Sequence, residues 1–159
     1  YMLFTASLGR SASPWNGAIG LAQAADDRLS RWALRPPIIS ADGLNNELER
    51  PHMIAAGGQY YLFWSTQRQV FAPTGPAGPT GLYGMAGPSV HGPFTPLNGS
   101  GLVIANPPAA PRQAYSWLVT PDLVVSSFVD ETPGNARRFG GVAAPMLQLA
   151  LDGTATRLL

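Results

Sequence analysis

Two glutamates separated by one residue, Glu47 and Glu49, stand in the densest polar segment of an otherwise apolar neighbourhood, NNELERPH at residues 45–52. In a strand they would share one face, because side chains alternate with a period of two. Neighbouring carboxylates disfavour each other's ionised form, so that one of them can stay protonated and act as a general acid. The spacing alone also fits a solvated edge strand with an ion pair to Arg50. The segment is therefore a candidate acid/base site with a purely structural alternative.

The composition excludes several other kinds of site. Ten basic and nine acidic residues give a net charge of +1 without a run of like charges, which argues against a nucleic-acid surface or a polybasic membrane signal. Cysteine is absent, which excludes thiolate metal sites and a cysteine nucleophile. His52 and His91 lack a partner at metal-binding spacing and are interpreted as structural. We expect no metal, no cofactor, no nucleic-acid partner and no membrane span.

The elements that would position the glutamates are short strands. Eighteen glycines and sixteen prolines cluster between apolar stretches, which is typical of an all-β chain. No apolar run reaches the ~18 residues that a membrane-spanning helix needs. The chain opens directly in an apolar strand, so we expect it to be cut from a longer domain.

An internal repeat indicates how the strands are grouped. The segment YMLFTAS at residues 1–7 returns as YYLFWST at residues 60–66, and residues 17–39 return as residues 81–104. A third, partial copy covers residues 116–129. Repeats of about sixty residues made of short strands are typical of β-propeller blades. The prediction is about two and a half blades with open sheet edges, and the alternative is a β-sandwich whose hairpins are similar by chance.

Seven blocks in order carry a family resemblance. They are ELERPH (47–52), GGQYYLFWST (57–66), GPTGLYG (78–84), PLNGSGLVIANPP (96–108), YSW (115–117), SFVD (127–130) and GGVAAPMLQL (140–149). Together they resemble glycoside hydrolase family 68, the levansucrases, inulosucrases and related β-fructofuranosidases, and most of all its Gram-negative type. The resemblance implies a five-bladed β-propeller with a central pocket. Residues 1–159 would then be the C-terminal part of a single catalytic domain whose N-terminal blades are missing.

The same resemblance implies roles for individual residues. Glu49 matches the general acid/base, and Glu47 matches a carboxylate that binds the sugar beside the cleaved bond. Tyr115 resembles a tyrosine next to the catalytic carboxylates, with a buried sheet aromatic as the alternative. Gln67 stands eighteen residues after the acid, where the family usually has Arg or His at the sugar-binding rim. Arg50 is expected to form a supporting ion pair.

Two members of the family's catalytic set have no counterpart in the sequence. These are the aspartate nucleophile and the transition-state aspartate of an Arg-Asp-Pro motif, and we expect both upstream. The aspartates that are present match neither motif and stand at turns or strand ends: Asp26, Asp27, Asp42, Asp122, Asp130 and Asp152. The chain alone should be inert. Asn46 takes the place of a calcium-binding aspartate of Gram-positive relatives, and we predict no metal.

The function that the resemblance implies is fructosyl transfer from sucrose to water, sucrose or a growing fructan, through a covalent fructosyl-enzyme. One alternative is a β-fructofuranosidase that makes mainly fructose and short oligosaccharides. Another is a non-catalytic propeller that only binds carbohydrate. We expect a protein that is secreted or periplasmic and, when complete, a monomer.

Overall fold

The computed structural model describes residues 1–132 and 135–159, and their regular structure consists of strands and one short 3₁₀ turn, Arg68–Val70. The strands, in chain order, are β1 (Met2–Ser7), β2 (Gly17–Ala24), β3 (Trp32–Ser40), β4 (Glu49–Ala56), β5 (Gln59–Thr66), β6 (Gly81–Gly87), β7 (Thr95–Pro96), β8 (Leu102–Ala105), β9 (Ala114–Val119), β10 (Val124–Val129), β11 (Glu131–Thr132), β12 (Asn135–Phe139), β13 (Leu147–Asp152) and β14 (Ala155–Leu158). The all-β prediction is confirmed.

The strands form three antiparallel sheets that follow one another along the chain. The first sheet has the order β1-β2-β3, the second β4-β5-β6-β7 with β8 also paired to β6, and the third β9-β10-β13-β14. Strands β11 and β12 form a separate ribbon. Strand β4 contacts β1 on one side and β9 on the other. The first strand of the second sheet therefore lies between its two neighbouring sheets.

Both copies of the sequence repeat contain the same cross-strand contact, a phenylalanine ring packed on a glycine. Phe4 on β1 is paired with Gly20 on β2, and Phe63 on β5 is paired in the same way with Gly84 on β6. A Cβ atom at Gly20 would lie 2.3 Å from the Phe4 ring, and one at Gly84 would lie 2.7 Å from the Phe63 ring. Any larger residue would displace the aromatic ring, so each glycine is required by the phenylalanine across from it.

The third sheet is more complete than the repeat predicted. Residues 147–158 supply strands β13 and β14, which the third copy of the repeat did not include. The first sheet begins with β1, the counterpart of β5, and has no counterpart of β4. Apart from the β11–β12 ribbon, residues 1–132 and 135–159 therefore form three sheets, of which the first is the least complete, where about two and a half blades were predicted.

Two apolar clusters hold the sheets together. The cluster between the first and second sheets contains Ile19, Ala41, Leu48, Leu62, Trp64 and Tyr83. The cluster between the second and third sheets includes Ile54, Tyr61, Phe63, Leu82, Leu97, Tyr115, Trp117, Val119, Val125 and Leu149. Burying each large side chain contributes roughly 1.5–3 kcal/mol, so the packing between sheets is the main source of stability. Within the described residues, no helix is long and apolar enough to cross a membrane.

Candidate active site

The first strands of the second and third sheets bring Glu49 and Tyr115 together. Glu49 is the first residue of β4, and Tyr115 is the second residue of β9. The Tyr115 hydroxyl donates a hydrogen bond to Oε2 of Glu49. Tyr115 is 8% exposed, whereas Glu49 is only half-buried. The Glu49 carboxyl group is thus accessible to solvent, and the buried Tyr115 hydroxyl orients it.

The other three predicted site residues, Glu47, Glu49 and Gln67, influence the pKa of this hydroxyl. Burial raises the pKa of Tyr115 above its usual range, and the hydrogen bond and the charge of Glu49 raise it further. The charge of Glu47 adds to the increase, while the nearby side chain of Gln67 opposes it. Tyr115 therefore remains protonated at any physiological pH and serves as a permanent hydrogen-bond donor. The structure brings Glu49 and Tyr115 into contact, and the pKa of Tyr115 also responds to Glu47 and Gln67; the assignment of these four residues to a site remains a prediction.

Glu47 lies just before β4 on a backbone that two buried polar residues hold. Its N–H donates to Oδ1 of Asn45 at 2.7 Å, and its carbonyl accepts from the Thr66 hydroxyl at 2.8 Å. Asn45 Nδ2 in turn donates to the Thr66 hydroxyl at 2.9 Å. A closed set of buried hydrogen bonds of this kind fixes the backbone that carries the first glutamate. Sequence analysis missed Thr66, which gave no signal beyond its place in an apolar strand.

Gln67 and Arg68 influence the pKa values of different tyrosines. Gln67 precedes the 3₁₀ turn, accepts a hydrogen bond from Gln69 Nε2 and acts on Tyr115. The positive charge of Arg68 acts instead on Tyr83, where it opposes the burial that raises the pKa of that tyrosine to about 12. The neutral amide of Gln67, rather than the neighbouring guanidinium, therefore belongs to the candidate site.

His52 has a structural role between the second and third sheets. Its Nε2 accepts the backbone N–H of Val119 at 2.9 Å, so the ring proton is on Nδ1, which donates to the Arg50 carbonyl at 3.0 Å. The ring also stacks on Phe63 with 5.6 Å between centroids. Burial lowers the pKa of His52, which favours the neutral imidazole that both hydrogen bonds require.

The prediction that Arg50 forms an ion pair is wrong. In the part of the chain that the structure describes, the ion pairs are those of Arg31 with Asp26 and of Arg112 with Asp130 and Glu131. Arg50 instead donates from Nη1 to the carbonyl and the hydroxyl oxygen of Ser116, at 2.8 and 2.7 Å. The physical reason is its left-handed backbone, φ +50°, which turns the side chain out of the regular alternation of β4.

Four of the six aspartates named above have side-chain partners in hydrogen bonds or ion pairs. Their partners are Ser30 and Arg31 for Asp26, Ser11 for Asp42, Thr120 for Asp122 and Arg112 for Asp130. Among the described residues, no three His, Cys, Asp or Glu side chains gather closely enough to hold a metal ion.

An apolar cavity of about 390 Å³ lies between the first and second sheets, apart from the carboxylates. Its lining includes Trp64, Phe71 and Tyr83 but neither Glu47 nor Glu49. Chemistry on a polar substrate requires groups that exchange protons or bind hydroxyls, and this cavity offers few. The candidate site is therefore the surface around Glu49 and Tyr115.

A row of small antiparallel sheets that meet along their first strands defines a protein of the β-propeller class. The model of the levansucrase/invertase family matches residues 4–158, so the chain belongs to this family, glycoside hydrolase family 68. The levansucrase LscA of Pseudomonas savastanoi pv. glycinea is 44% identical over 139 residues, which are 86% of this chain and 33% of that protein.

Solved structures agree with this assignment. An inulosucrase from Halalkalicoccus jeotgali bound to kestose superimposes with a TM-score of 0.88 at 37% identity, covering 98% of this chain and 45% of that one. The full-length β-fructofuranosidase from Microbacterium saccharophilum K-1 superimposes with a TM-score of 0.83 at 35% identity, covering 91% and 31%. The propeller prediction is confirmed. The chain spans about a third of the length of the curated relatives it matches.

Proposed function

We propose that these residues form the acid/base part of a retaining, sucrose-cleaving fructosyltransferase. The observation that carries the proposal is the Tyr115–Glu49 hydrogen bond between two first strands, with Glu47 and Gln67 acting on the same hydroxyl. Membership of the levansucrase/invertase family supports it, as does the similarity to proteins named levansucrase, inulosucrase and β-fructofuranosidase.

In this proposal Glu49 acts twice. It first gives its proton to the glycosidic oxygen, the bond to fructose breaks, and glucose leaves as the fructosyl carbon bonds to a carboxylate nucleophile. Glu49, now ionised, then takes the proton of water or of an acceptor hydroxyl, which attacks the same carbon and frees the nucleophile. A retaining enzyme needs that nucleophile about 5 Å from the acid. We propose that residues outside these 159 supply it.

The remaining site residues orient the reaction. The Tyr115 hydroxyl, a permanent donor, holds the Glu49 carboxyl group in one rotamer, which places it for proton transfer. Glu47 accepts hydrogen bonds from hydroxyl groups of the sugar on the rigid backbone that Asn45 and Thr66 hold. Gln67 lies at the acceptor side. No metal ion or cofactor enters this scheme.

Sucrose cleavage by the full-length protein tests the proposal. Incubation with sucrose should release glucose, with fructose found free, in oligosaccharides or in fructan, and the ratio of free glucose to free fructose measures transfer. A protein that binds fructan but releases no glucose would favour the non-catalytic propeller. The β-fructofuranosidase alternative predicts mainly free fructose and short oligosaccharides, without high-molecular-mass fructan.

Replacing Gln67 with histidine should raise transfer relative to hydrolysis. A charged side chain would bind an acceptor sugar by charge-assisted hydrogen bonds, about twice as strong as neutral ones, whereas the amide of Gln67 holds it less tightly by about 1 kcal/mol. We therefore expect mostly fructose and short oligosaccharides from the wild type, and several-fold more transfer from Gln67→His at high sucrose.

Product analysis by chromatography checks this expectation. Gln69→His introduces the same side chain two positions away, and Arg68→Ala removes the neighbouring charge; neither should raise transfer. Abundant fructan from the wild type, or an unchanged ratio in Gln67→His, would show that this position does not set the outcome.

We also propose a secreted or periplasmic location and a monomeric complete protein, from the resemblance to the bacterial branch of the family. Cell fractionation checks the location. Light scattering of the full-length protein checks the oligomeric state, and a dimer or an exclusively cytoplasmic signal would contradict the respective statement.

A further inference from the structure

The first strands of the second and third sheets share an irregularity directly after their site residues. On β4 the pairing with β5 passes from Glu49↔Ser65 to His52↔Phe63, so β4 has one extra residue. On β9 the pairing with β10 passes from Tyr115↔Phe128 to Leu118↔Ser126, again with one extra residue. Each is a β-bulge, a feature that is common beside active sites because it re-aims a side chain.

Both bulges contain a residue in the left-handed conformation that is not glycine. Arg50 has φ +50° and Ser116 has φ +57°, and each directly follows a site residue, Glu49 or Tyr115. Holding such a residue in this region has a conformational cost that the surrounding structure must compensate. Glycine would adopt the conformation without this cost. The side chains of Arg50 and Ser116 must therefore contribute something that glycine lacks.

What they contribute is a bond between the two bulges. The Arg50 guanidinium donates to both the carbonyl and the hydroxyl oxygen of Ser116, at 2.8 and 2.7 Å. Two further bonds connect the same pair of sheets along the strand: the Ser65 hydroxyl accepts the Trp117 N–H at 3.0 Å, and His52 accepts that of Val119. The Arg50–Ser116 bond is the member of this series that lies next to the Glu49 carboxyl and the Tyr115 hydroxyl.

We propose that Arg50 and Ser116 are a positioning pair, which fixes the Glu49 carboxyl against the Tyr115 hydroxyl across the gap between two sheets. This inference rests on the proposed function. Glu49 and Tyr115 sit on separate sheets, so their hydrogen bond depends on how the two strands are aligned at the bulges. The hydrogen bonds of the Arg50 guanidinium to Ser116 set that alignment, because Arg50 directly follows Glu49 and Ser116 directly follows Tyr115. Neither Arg50 nor Ser116 exchanges a proton with the substrate.

The test compares two substrates in the full-length enzyme. The two substrates are sucrose and β-fructofuranosyl fluoride. Glucose must be protonated as it departs from sucrose, whereas the fluoride ion is a leaving group that has far less need of a general acid. The kcat/KM value reports the steps up to the fructosyl-enzyme. Arg50→Ala removes a hydrogen bond to a charged group, and we expect this loss to lower kcat/KM on sucrose by about 10–100-fold. The decrease should appear in kcat rather than in KM, and kcat/KM on the fluoride should change little.

Two conservative variants make the test independent of folding defects. Ser116→Gly keeps the carbonyl acceptor and relieves the backbone, so the loss on sucrose should be smaller, about 3–10-fold. Arg50→Lys keeps the charge but offers no planar fork for two acceptors, so its loss should fall between the other two. The control is Arg35→Ala, which removes an exposed arginine of β3 that forms a hydrogen bond with Gln23. Its kcat/KM should stay unchanged on both substrates.

The outcomes separate this inference from the proposed function. If Glu49→Gln loses kcat/KM on sucrose but retains kcat/KM on the fluoride, the acid role stands. Equal losses on both substrates in the Arg50 and Ser116 variants, a change confined to KM, or no loss would then overturn the positioning role alone. If Glu49→Gln keeps its activity on sucrose, the proposed function itself fails.

Discussion

Replacing Glu49 with glutamine in the full-length enzyme is expected to lower its turnover of sucrose by at least about 10²-fold. Glutamine retains the shape of the side chain and an oxygen that can accept the Tyr115 hydroxyl, so the site should keep its geometry. What the variant loses is the proton for the departing glucose and the base for the acceptor. The KM for sucrose should therefore change little.

Steady-state kinetics on sucrose check this expectation, with Glu131→Gln as the matched control. Glu131 pairs with Arg112, so its substitution removes one carboxylate without touching the site, and turnover should stay near that of the wild type. A Glu49→Gln enzyme that retained more than about a tenth of wild-type turnover would show that another group supplies the proton.

The sequence was sufficient to predict the repeating architecture because the repeat has a steric cause. Phe4 and Phe63 each pack on a glycine of the next strand, so residue types and spacing recur together. The carboxylate pair could be located for a similar reason, since polar residues in an apolar neighbourhood need partners. The partner of Glu49, Tyr115, lies 66 residues away and came from the family resemblance rather than from spacing.

The link between Arg50 and Ser116 could not be predicted from the sequence. Glycine or asparagine in a sequence is the usual signal for a left-handed backbone, whereas the two left-handed residues here are arginine and serine. Pro51 disfavours an α-helical conformation for Arg50 but does not by itself specify a bulge. The expected ion pair followed from charge alone, whereas the observed acceptors are oxygens on a strand of another sheet.

The structural roles of two loop asparagines, Asn98 and Asn106, could not be predicted from the sequence either. Asn98, in NGSG, donates to the Thr156 hydroxyl and accepts the Thr156 N–H, which ties the second sheet to the outer hairpin of the third. Asn106, in ANPP, is buried and exchanges hydrogen bonds in both directions with the backbone of Ala114 at the start of β9. These bonds set the placement of β9, and so of the tyrosine that it carries.

The second large effect is expected at Trp117, the largest fully buried side chain between the second and third sheets. It is 2% exposed and packs edge-on against Tyr115 with 5.9 Å between centroids. Trp117→Ala should lower the free energy of unfolding of the full-length protein by about 3–5 kcal/mol, because a cavity replaces the indole. Denaturant unfolding measures the loss.

Leu34→Ala is the control, because Leu34 is 75% exposed and its loss should cost within about 0.5 kcal/mol. Trp117→Phe fills part of the space and should fall between the two. Because Trp117 lies two residues after Tyr115 on the strand that meets Glu49, the folded fraction of Trp117→Ala should also turn over sucrose more slowly. A stability loss below about 1 kcal/mol would mean that the sheets are held mainly by their cross-sheet hydrogen bonds. The alignment of Glu49 with Tyr115 would then depend on Arg50, Ser65 and His52 rather than on the apolar core.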